Sequence, residues 1–149
     1  MRGLGQRPQR AQRHRAGTQL RHYTVLTAGA DYTDARFQIA AARVREEKAG
    51  SDIVIVSMHW GEELRAEPTS AQERYGHALI DAGADLVLGH HPHVVGGLEQ
   101  YKGKYIVYSL GNFCFGGNRN PSDKDTVIAQ LTVSGTGGDR SWEMSYIPC

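Results

Sequence analysis

The amino-acid sequence predicts an α/β fold, and three patterns lead to this prediction. Two apolar, β-branched strands flank an amphipathic helix between residues 52 and 88. A second helical pattern precedes them, from Asp34 to Lys48. Apolar and polar residues alternate near the C-terminus, where they predict a β-hairpin. Parallel strands joined by helices and followed by antiparallel strands are typical of a mixed α/β domain.

The chain divides into a basic head, residues 1–22, and a globular part, residues 23–149. Six arginines precede the first acidic residue, Asp31, so the rest carries 17 − 6 = 11 basic against 16 acidic residues. Large apolar side chains are scarce in the head, which we therefore expect to be disordered. The head is either a nucleic-acid arm or an extension without a binding role. No aromatic residue accompanies its arginines, which favours the second interpretation, so we do not expect nucleic acid as a partner.

Composition sets further limits on the class of protein. Hydrophobic residues make up 40% of the 149 residues and charged residues 22%, as in a soluble domain. No apolar run reaches the 18 or more residues of a membrane span. Cys114 and Cys149 form neither a disulfide framework nor a metal-ligand pattern.

The first predicted elements of the globular part are two strands around a helix. We expect a short strand at Thr24–Thr27, a helix from Asp34 to Lys48 that ends before Gly50, and a strand at Asp52–Met58. The run Ile53–Val56 is apolar and β-branched, which predicts that this strand is buried on both faces.

A second helix carries the clearest boundary signals. Ser70 and Glu73 form a candidate capping box, and Gly83 ends the helix. His77 lies off the apolar stripe, so we interpret it as a solvated surface residue rather than a ligand. The stripe consists of Tyr75, Ala78, Leu79 and Ala82.

Four more strands complete the prediction. Asp85–Leu88 is a second buried strand and Tyr105–Ser109 a third. Residues 126–133 and 141–146 form the C-terminal hairpin around a turn at residues 135–139.

Histidines follow the first two strands of the sheet at the point where each strand ends. His59 comes after one strand, and His90, His91 and His93 come after the next. A helix crossover makes these strands parallel, and their carboxyl ends meet at one edge of the sheet. Imidazole suits Zn, Fe, Mn or Cu better than Mg or Ca. The sequence therefore predicts a metal site at this edge.

A two-metal hydrolytic site needs bridging carboxylates in addition to histidines. The candidates are Glu62, Glu63 and Glu99. Glu63 either orients a ligand histidine or is an ordinary loop charge. Asn112 either lines the site or forms a turn, and its residue type favours the turn.

Three segments in this order carry a more specific signal. Residues 56–63 read Val-Ser-Met-His-Trp-Gly-Glu-Glu, residues 89–93 read Gly-His-His-Pro-His, and residues 103–113 read Gly-Lys-Tyr-Ile-Val-Tyr-Ser-Leu-Gly-Asn-Phe. Together they resemble the CapA family of bacterial poly-gamma-glutamate capsule synthesis proteins. The resemblance covers residues 36–116, weakens towards Tyr23 and does not extend into the basic head.

The resemblance implies a fold and a site. The family fold is similar to that of calcineurin-like metallophosphoesterases, a two-sheet α/β sandwich with a dinuclear centre of divalent metal of the Mn, Fe or Zn class. His59 matches a ligand position, and His91 and His93 match a terminal His-x-His pair, with His90 as the alternative first ligand. His59 and His91 are the expected catalytic residues. Glu63 and Asn112, proposed from their positions and not from the resemblance, are the candidate partners of the ligand histidines.

The chain also departs from the family pattern. Family members begin with a Gly-Asp strand tip, an acidic segment and an Asn-Asn-His motif, which supply a bridging aspartate and further ligands. None of these precedes Asp31. We therefore expect an incomplete metallophosphoesterase-like sandwich with a C-terminal β-hairpin, from a truncated chain that lacks the first βαβ half.

Three functional hypotheses follow from the resemblance. The chain is a metal-dependent hydrolase of capsule biosynthesis or export, a non-catalytic capsule-assembly or polymer-binding subunit, or an inactive gene fragment. The missing motifs leave its status as an enzyme open. The expected partners are the capsule-synthesis machinery or the poly-gamma-glutamate polymer, and the expected location is the cell envelope, membrane-associated and extracytoplasmic.

Overall fold

The computed structural model describes residues 34–149 apart from residues 115, 118 and 119. The basic head and the strand expected at Thr24–Thr27 lie outside this part. The fold is mixed α/β with two sheets, as the sequence predicts. The elements in chain order are α1 (Asp34–Lys48), β1 (Ile55–His59), α2 (Ser70–Asp81), β2 (Leu86–His90), β3 (Leu98–Tyr101), β4 (Lys104–Val107), β5 (Val127–Ser134) and β6 (Ser141–Pro148).

The larger sheet has the strand order β1-β2-β4-β3. β2 runs parallel to both β1 and β4, whereas β3 pairs with β4 in the antiparallel direction. The predicted β1-α2-β2 unit is therefore confirmed. The register pairs His59 with His90 at the ends of β1 and β2.

Both helices bury apolar side chains in one core with this sheet. α1 has the predicted bounds, and it buries Phe37, Ala41 and Val44. α2 buries Tyr75 and Leu79, and the ring of Tyr75 stacks on that of Phe37 with centroids 4.4 Å apart. Burial of such apolar side chains is the main favourable term that holds helices to a sheet.

The predicted cap of α2 is wrong by one residue. Thr69, not Ser70, is the N-cap, and its hydroxyl accepts a hydrogen bond from the N–H of Gln72 at 3.2 Å. The Gln72 side chain accepts from the N–H of Thr69 at 2.9 Å and completes the capping box. Gln72 occupies the third helical position after Thr69, where a capping box places its partner, and it is buried whereas Glu73 is exposed.

The expectation that β1 is buried on both faces is also wrong. β1 begins at Ile55, three residues later than predicted, and the Ile55 side chain is 43% exposed. Among the described strands β1 lies at the edge of the sheet, and only one of its faces meets the helices. An apolar, β-branched run does not distinguish an edge strand from a central one.

Sequence patterning missed strand β3. The turn between β3 and β4 consists of Lys102 and Gly103, which both have positive φ, +50° and +75°. Two such residues are typical of a tight type I′ hairpin. The Lys-Gly pair between Tyr101 and Lys104 was the available signal.

The C-terminal hairpin is confirmed, with β5 and β6 paired from Val127–Pro148 to Ser134–Ser141. Side chains attach it to the rest of the molecule. The Nζ of Lys104 lies 3.4 Å from the ring centroid of Trp142, and Arg140 pairs with Asp52 at 3.0 Å.

A buried carboxylate connects several elements at the end of the larger sheet where its parallel strands begin. Asp85, whose side chain is 4% exposed, accepts hydrogen bonds from Lys48 at 2.6 Å, from Lys104 at 2.8 Å and from the Val54 N–H at 2.9 Å. Burial raises the pKa of Asp85, but the bonds from Lys104, Lys48 and Val54 outweigh it and hold the pKa below its usual value. α1, the entry to β1 and β4 are thus joined at one carboxyl group.

We predict that Asp85→Asn lowers the free energy of unfolding by about 2–4 kcal/mol at pH 7, because two lysines lose their buried partner. The folded-state pKa of Asp85 is depressed, so its contribution is present above the unfolded value of 3.8 and is lost as the pH falls through the folded value. Urea denaturation at pH 7 and at pH 3 measures both effects.

The matched control is Asp52→Asn, which removes an exposed carboxylate. It should change stability little at either pH. Equal losses in the two variants would contradict the role of Asp85.

Candidate functional site

The indole of Trp60 ties together the carboxyl ends of three strands. Trp60 follows β1 directly, and its backbone N–H donates to the carbonyl oxygen of His90 at 3.0 Å. Its Nε1–H donates to the carbonyl oxygen of Tyr108, which follows β4, at 2.9 Å. A Cβ at Gly89 would lie 2.0 Å from that oxygen and 2.4 Å from Nε1. Glycine is therefore required at the point where the indole crosses β2.

The loop after β2 holds two histidines in backbone conformations that are rare for residues other than glycine. φ is +103° at His91 and +60° at His93. Pro92 between them is fully buried, and its carbonyl oxygen accepts a hydrogen bond from the N–H of Leu64 at 2.7 Å. Strained backbone of this kind persists where surrounding contacts fix it, and it is frequent at functional sites.

Four histidines gather at this edge of the sheet and are called the histidine cluster, namely His59, His90, His91 and His93. The ring centroids of His59 and His91 are 4.7 Å apart, and those of His91 and His93 are 6.0 Å apart. His90 is the register partner of His59. The four residues that were predicted to converge at the strand ends therefore lie together. Their roles as ligands or catalytic groups stay predictions.

The surroundings favour the neutral form of two rings in the cluster. Loss of solvent, and then the charges that His91 and His93 carry when protonated, lower the pKa of His59. Burial, followed by the charge of His59, lowers the pKa of His90. The neutral imidazole is the form that binds a metal ion.

Asn112 fixes the orientation of one ring. Its Oδ1 lies 2.7 Å from Nδ1 of His93, and its Nδ2–H donates to the carbonyl oxygen of His93 at 2.9 Å. An amide oxygen only accepts, so Nδ1 of His93 carries the hydrogen and the lone pair of the neutral ring is on Nε2. Asn112, whose residue type favoured a turn, therefore contacts the cluster through His93, and its role beside a metal ligand stays a prediction.

The acidic residues next to the cluster are surface groups. Glu62 pairs with Arg65 at 3.0 Å, and both side chains are exposed. Glu63 is exposed too, and no hydrogen bond of the described chain joins it to the cluster. In residues 34–149, without the three undescribed positions, no three His, Cys, Asp or Glu side chains are arranged to hold a metal ion. A two-metal centre with bridging carboxylates therefore does not fit the residues that are described.

Two sequence-based assignments concerning Glu99 and His77 need correction. Glu99, offered as a carboxylate near the cluster, instead contacts Nε2 of His77 at 2.6 Å and the hydroxyl of Tyr108 at 2.5 Å. His77, interpreted as a solvated surface residue, is only 34% exposed and stacks on Tyr101 with ring centroids 3.9 Å apart. Both errors arise because β3, which carries Glu99 and Tyr101, was not recognised as a strand that packs beside α2.

The family model of the bacterial capsule synthesis protein PGA_cap matches residues 3–117. The match contains the three motifs and the whole histidine cluster. It begins near the N-terminus, so the expectation that the resemblance excludes the basic head is wrong. The β5–β6 hairpin lies beyond the matched residues.

Curated relatives share 43% identity with parts of this chain. The PGA biosynthesis protein CapA of Bacillus subtilis aligns over 67% of this chain and 27% of its own length. The capsule biosynthesis protein CapA of Bacillus anthracis aligns over 61% and 22%, and a probable polyglutamine synthesis accessory protein of Mycobacterium tuberculosis over 48% and 19%. The chain thus spans about a quarter or less of the length of these relatives.

We predict that Gly89→Ala destabilises the protein strongly, by several kcal/mol, because the added methyl group displaces either Trp60 or the Tyr108 carbonyl group. The control is Gly97→Ala, whose Cβ would meet only ordinary contacts at 3.8 Å and 4.0 Å. Thermal denaturation followed by circular dichroism compares the two. A Gly89→Ala melting temperature as high as that of Gly97→Ala would contradict the proposed constraint.

Proposed function

This chain belongs to the bacterial capsule synthesis protein family PGA_cap, and we propose that it takes part in poly-gamma-glutamate capsule biosynthesis. The observation that carries the proposal is the family match over residues 3–117, which contains the histidine cluster. Relatives at 43% identity are named as PGA or capsule biosynthesis proteins. We propose the capsule-synthesis machinery or the polymer itself as its partner, and the cell envelope as its location. No helix in the described part is long and apolar enough to cross a bilayer.

The finer fold that we propose is part of a metallophosphoesterase-like sandwich. Two features support it: the chain has two sheets, and its histidines lie at the carboxyl ends of parallel strands. Sites of open α/β sheets form at this edge.

We propose that the histidine cluster binds a single divalent ion of the Zn, Fe or Mn class. Two imidazoles on one tetrahedral zinc have ring centroids roughly 5 Å apart, given a Zn–N distance of about 2.0–2.1 Å. The spacings of 4.7 Å for His59–His91 and 6.0 Å for His91–His93 bracket this value, and binding would require the rings to rotate from the arrangement of the described residues. The hydrogen bond from Asn112 leaves Nε2 of His93 as the ligating nitrogen.

A non-catalytic role as an assembly or polymer-binding subunit is the second candidate. Two observations favour it. The acidic residues next to the cluster are exposed, and among the described residues no three His, Cys, Asp or Glu side chains are arranged to hold a metal ion. A hydrolytic two-metal centre would need carboxylates from other residues.

The capsule role predicts that deletion of the gene lowers the amount of poly-gamma-glutamate on the cells of its organism. Re-expression of the wild-type chain should restore the polymer, and His91→Ala should not. Glu62→Gln, which changes an exposed side chain, is the matched control and should restore it. Unchanged polymer after deletion would refute the role.

The metal proposal predicts binding of one Zn²⁺ ion per chain in a calorimetric titration. His91→Ala and His93→Ala should each weaken binding about tenfold or more, because each removes a ligand. Affinity should fall below about pH 6, where protonation competes with the ion. His77→Ala removes an imidazole outside the cluster and should leave the stoichiometry unchanged. Absence of binding to folded wild-type protein would exclude the proposal.

A further inference from the structure

A second polar network lies between α2 and the sheet, outside the histidine cluster. One oxygen of Glu99 contacts Nε2 of His77 at 2.6 Å, and the other accepts the hydroxyl hydrogen of Tyr108 at 2.5 Å. The side chains of His77 and Glu99 are half-buried, and Tyr108 is buried. A single carboxylate thus joins a helix, an edge strand and the end of β4.

Tyr108 connects this network to the histidine cluster. Its ring stacks on the indole of Trp60 with centroids 5.8 Å apart, and its carbonyl oxygen accepts the indole N–H at 2.9 Å. Trp60 is 2% exposed and directly follows His59. The contacts therefore run without a gap from Glu99 through Tyr108 and Trp60 to the strand end that carries His59.

The direction of the hydrogen bonds makes Glu99 the group on which the network depends. Burial, together with the hydrogen bond and the charge of Glu99, raises the pKa of Tyr108, so its hydroxyl stays protonated and donates. Without Glu99 this hydroxyl loses the acceptor to which it donates. A polar group left unsatisfied in a buried site is unfavourable, so the Tyr108 ring would move towards a new partner or water.

We propose that Glu99 is a positioning residue for the histidine cluster, which fixes the Tyr108 ring and thereby the Trp60 indole and the end of β1. This inference rests on the proposed function of the cluster as a metal site. Glu99 then determines how His59 is presented to His91, although it contacts neither ring. His77, stacked on Tyr101, fixes Glu99 from the side of α2.

The test uses the full chain with Glu99→Ala, Glu99→Gln and Tyr108→Phe. NMR at one fixed pH follows hydrogen exchange of the Trp60 indole N–H and the ring signals of His59 and His91. The indole of Trp142 in the hairpin serves as the internal reference, since it packs on Lys104 instead.

Glu99→Ala should speed exchange of the Trp60 indole N–H about tenfold relative to Trp142, shift the signals of both histidine rings and weaken Zn²⁺ binding. Tyr108→Phe keeps the ring and the carbonyl group and leaves no unsatisfied hydroxyl, so it should change these signals less than Glu99→Ala, and the double variant should resemble Tyr108→Phe. Glu99→Gln keeps an acceptor for the Tyr108 hydroxyl and should stay close to the wild type.

The control is Asp81→Ala, which removes another acid that links α2 to the β3–β4 hairpin through Lys102 and Tyr101. It should leave Trp60 and both histidine rings unchanged. A lower melting temperature for Glu99→Ala with unchanged Trp60 and histidine signals would overturn the proposal. Shifted signals in a chain that never binds Zn²⁺ would support positioning by Glu99 and contradict the metal proposal.

Discussion

The hydrogen bond from the Trp60 indole to the Tyr108 carbonyl oxygen is the constraint on which the candidate site depends. It links the ends of β1 and β4 across β2, where a Cβ at Gly89 would lie 2.4 Å from the indole nitrogen and 2.0 Å from the carbonyl oxygen. The end of β1 carries His59, and β2, which the bond crosses, leads into the loop with His91 and His93. Parallel strands that ended in unlinked loops would leave the histidine rings free to separate. Together with the bond from the Trp60 backbone N–H to the His90 carbonyl oxygen, it connects the carboxyl ends of β1, β2 and β4.

The two ends of the larger sheet are stabilised by different chemistry. At one end, Asp85 remains charged because Lys48, Lys104 and the Val54 N–H offset its burial. At the other end, crowding and loss of solvent lower the pKa of His59 and His90, which favours neutral rings. A neutral imidazole cluster is suited to receive a cation, whereas the ion network at the opposite end fixes the helix and strands that carry the cluster.

Two acidic residues that were candidates for metal bridging contact other side chains instead. Glu62 pairs with Arg65 at the surface, and Glu99 is occupied by His77 and Tyr108. Imidazoles without nearby carboxylates can bind a single ion but cannot bridge two. The described residues are therefore better suited to binding one ion, or to an assembly role, than to two-metal hydrolysis. Membership of the capsule synthesis family gives the cluster its biological setting, although the aligned residues cover only 27% and 22% of the two CapA relatives.

The sequence by itself determined the α/β class, the β1-α2-β2 unit, α1 and the C-terminal hairpin, because apolar periodicity and turn residues are local signals. It also determined that His59, His90, His91 and His93 converge, since parallel strands joined by a helix must end at one edge. Tertiary structure decided the burial of β1, which depends on the neighbours of an edge strand, and the N-cap at Thr69, which depends on the burial of Gln72. It likewise decided the partners of Glu99 and His77, because a contact between a helix and a strand 22 residues further along the chain leaves no trace in local periodicity.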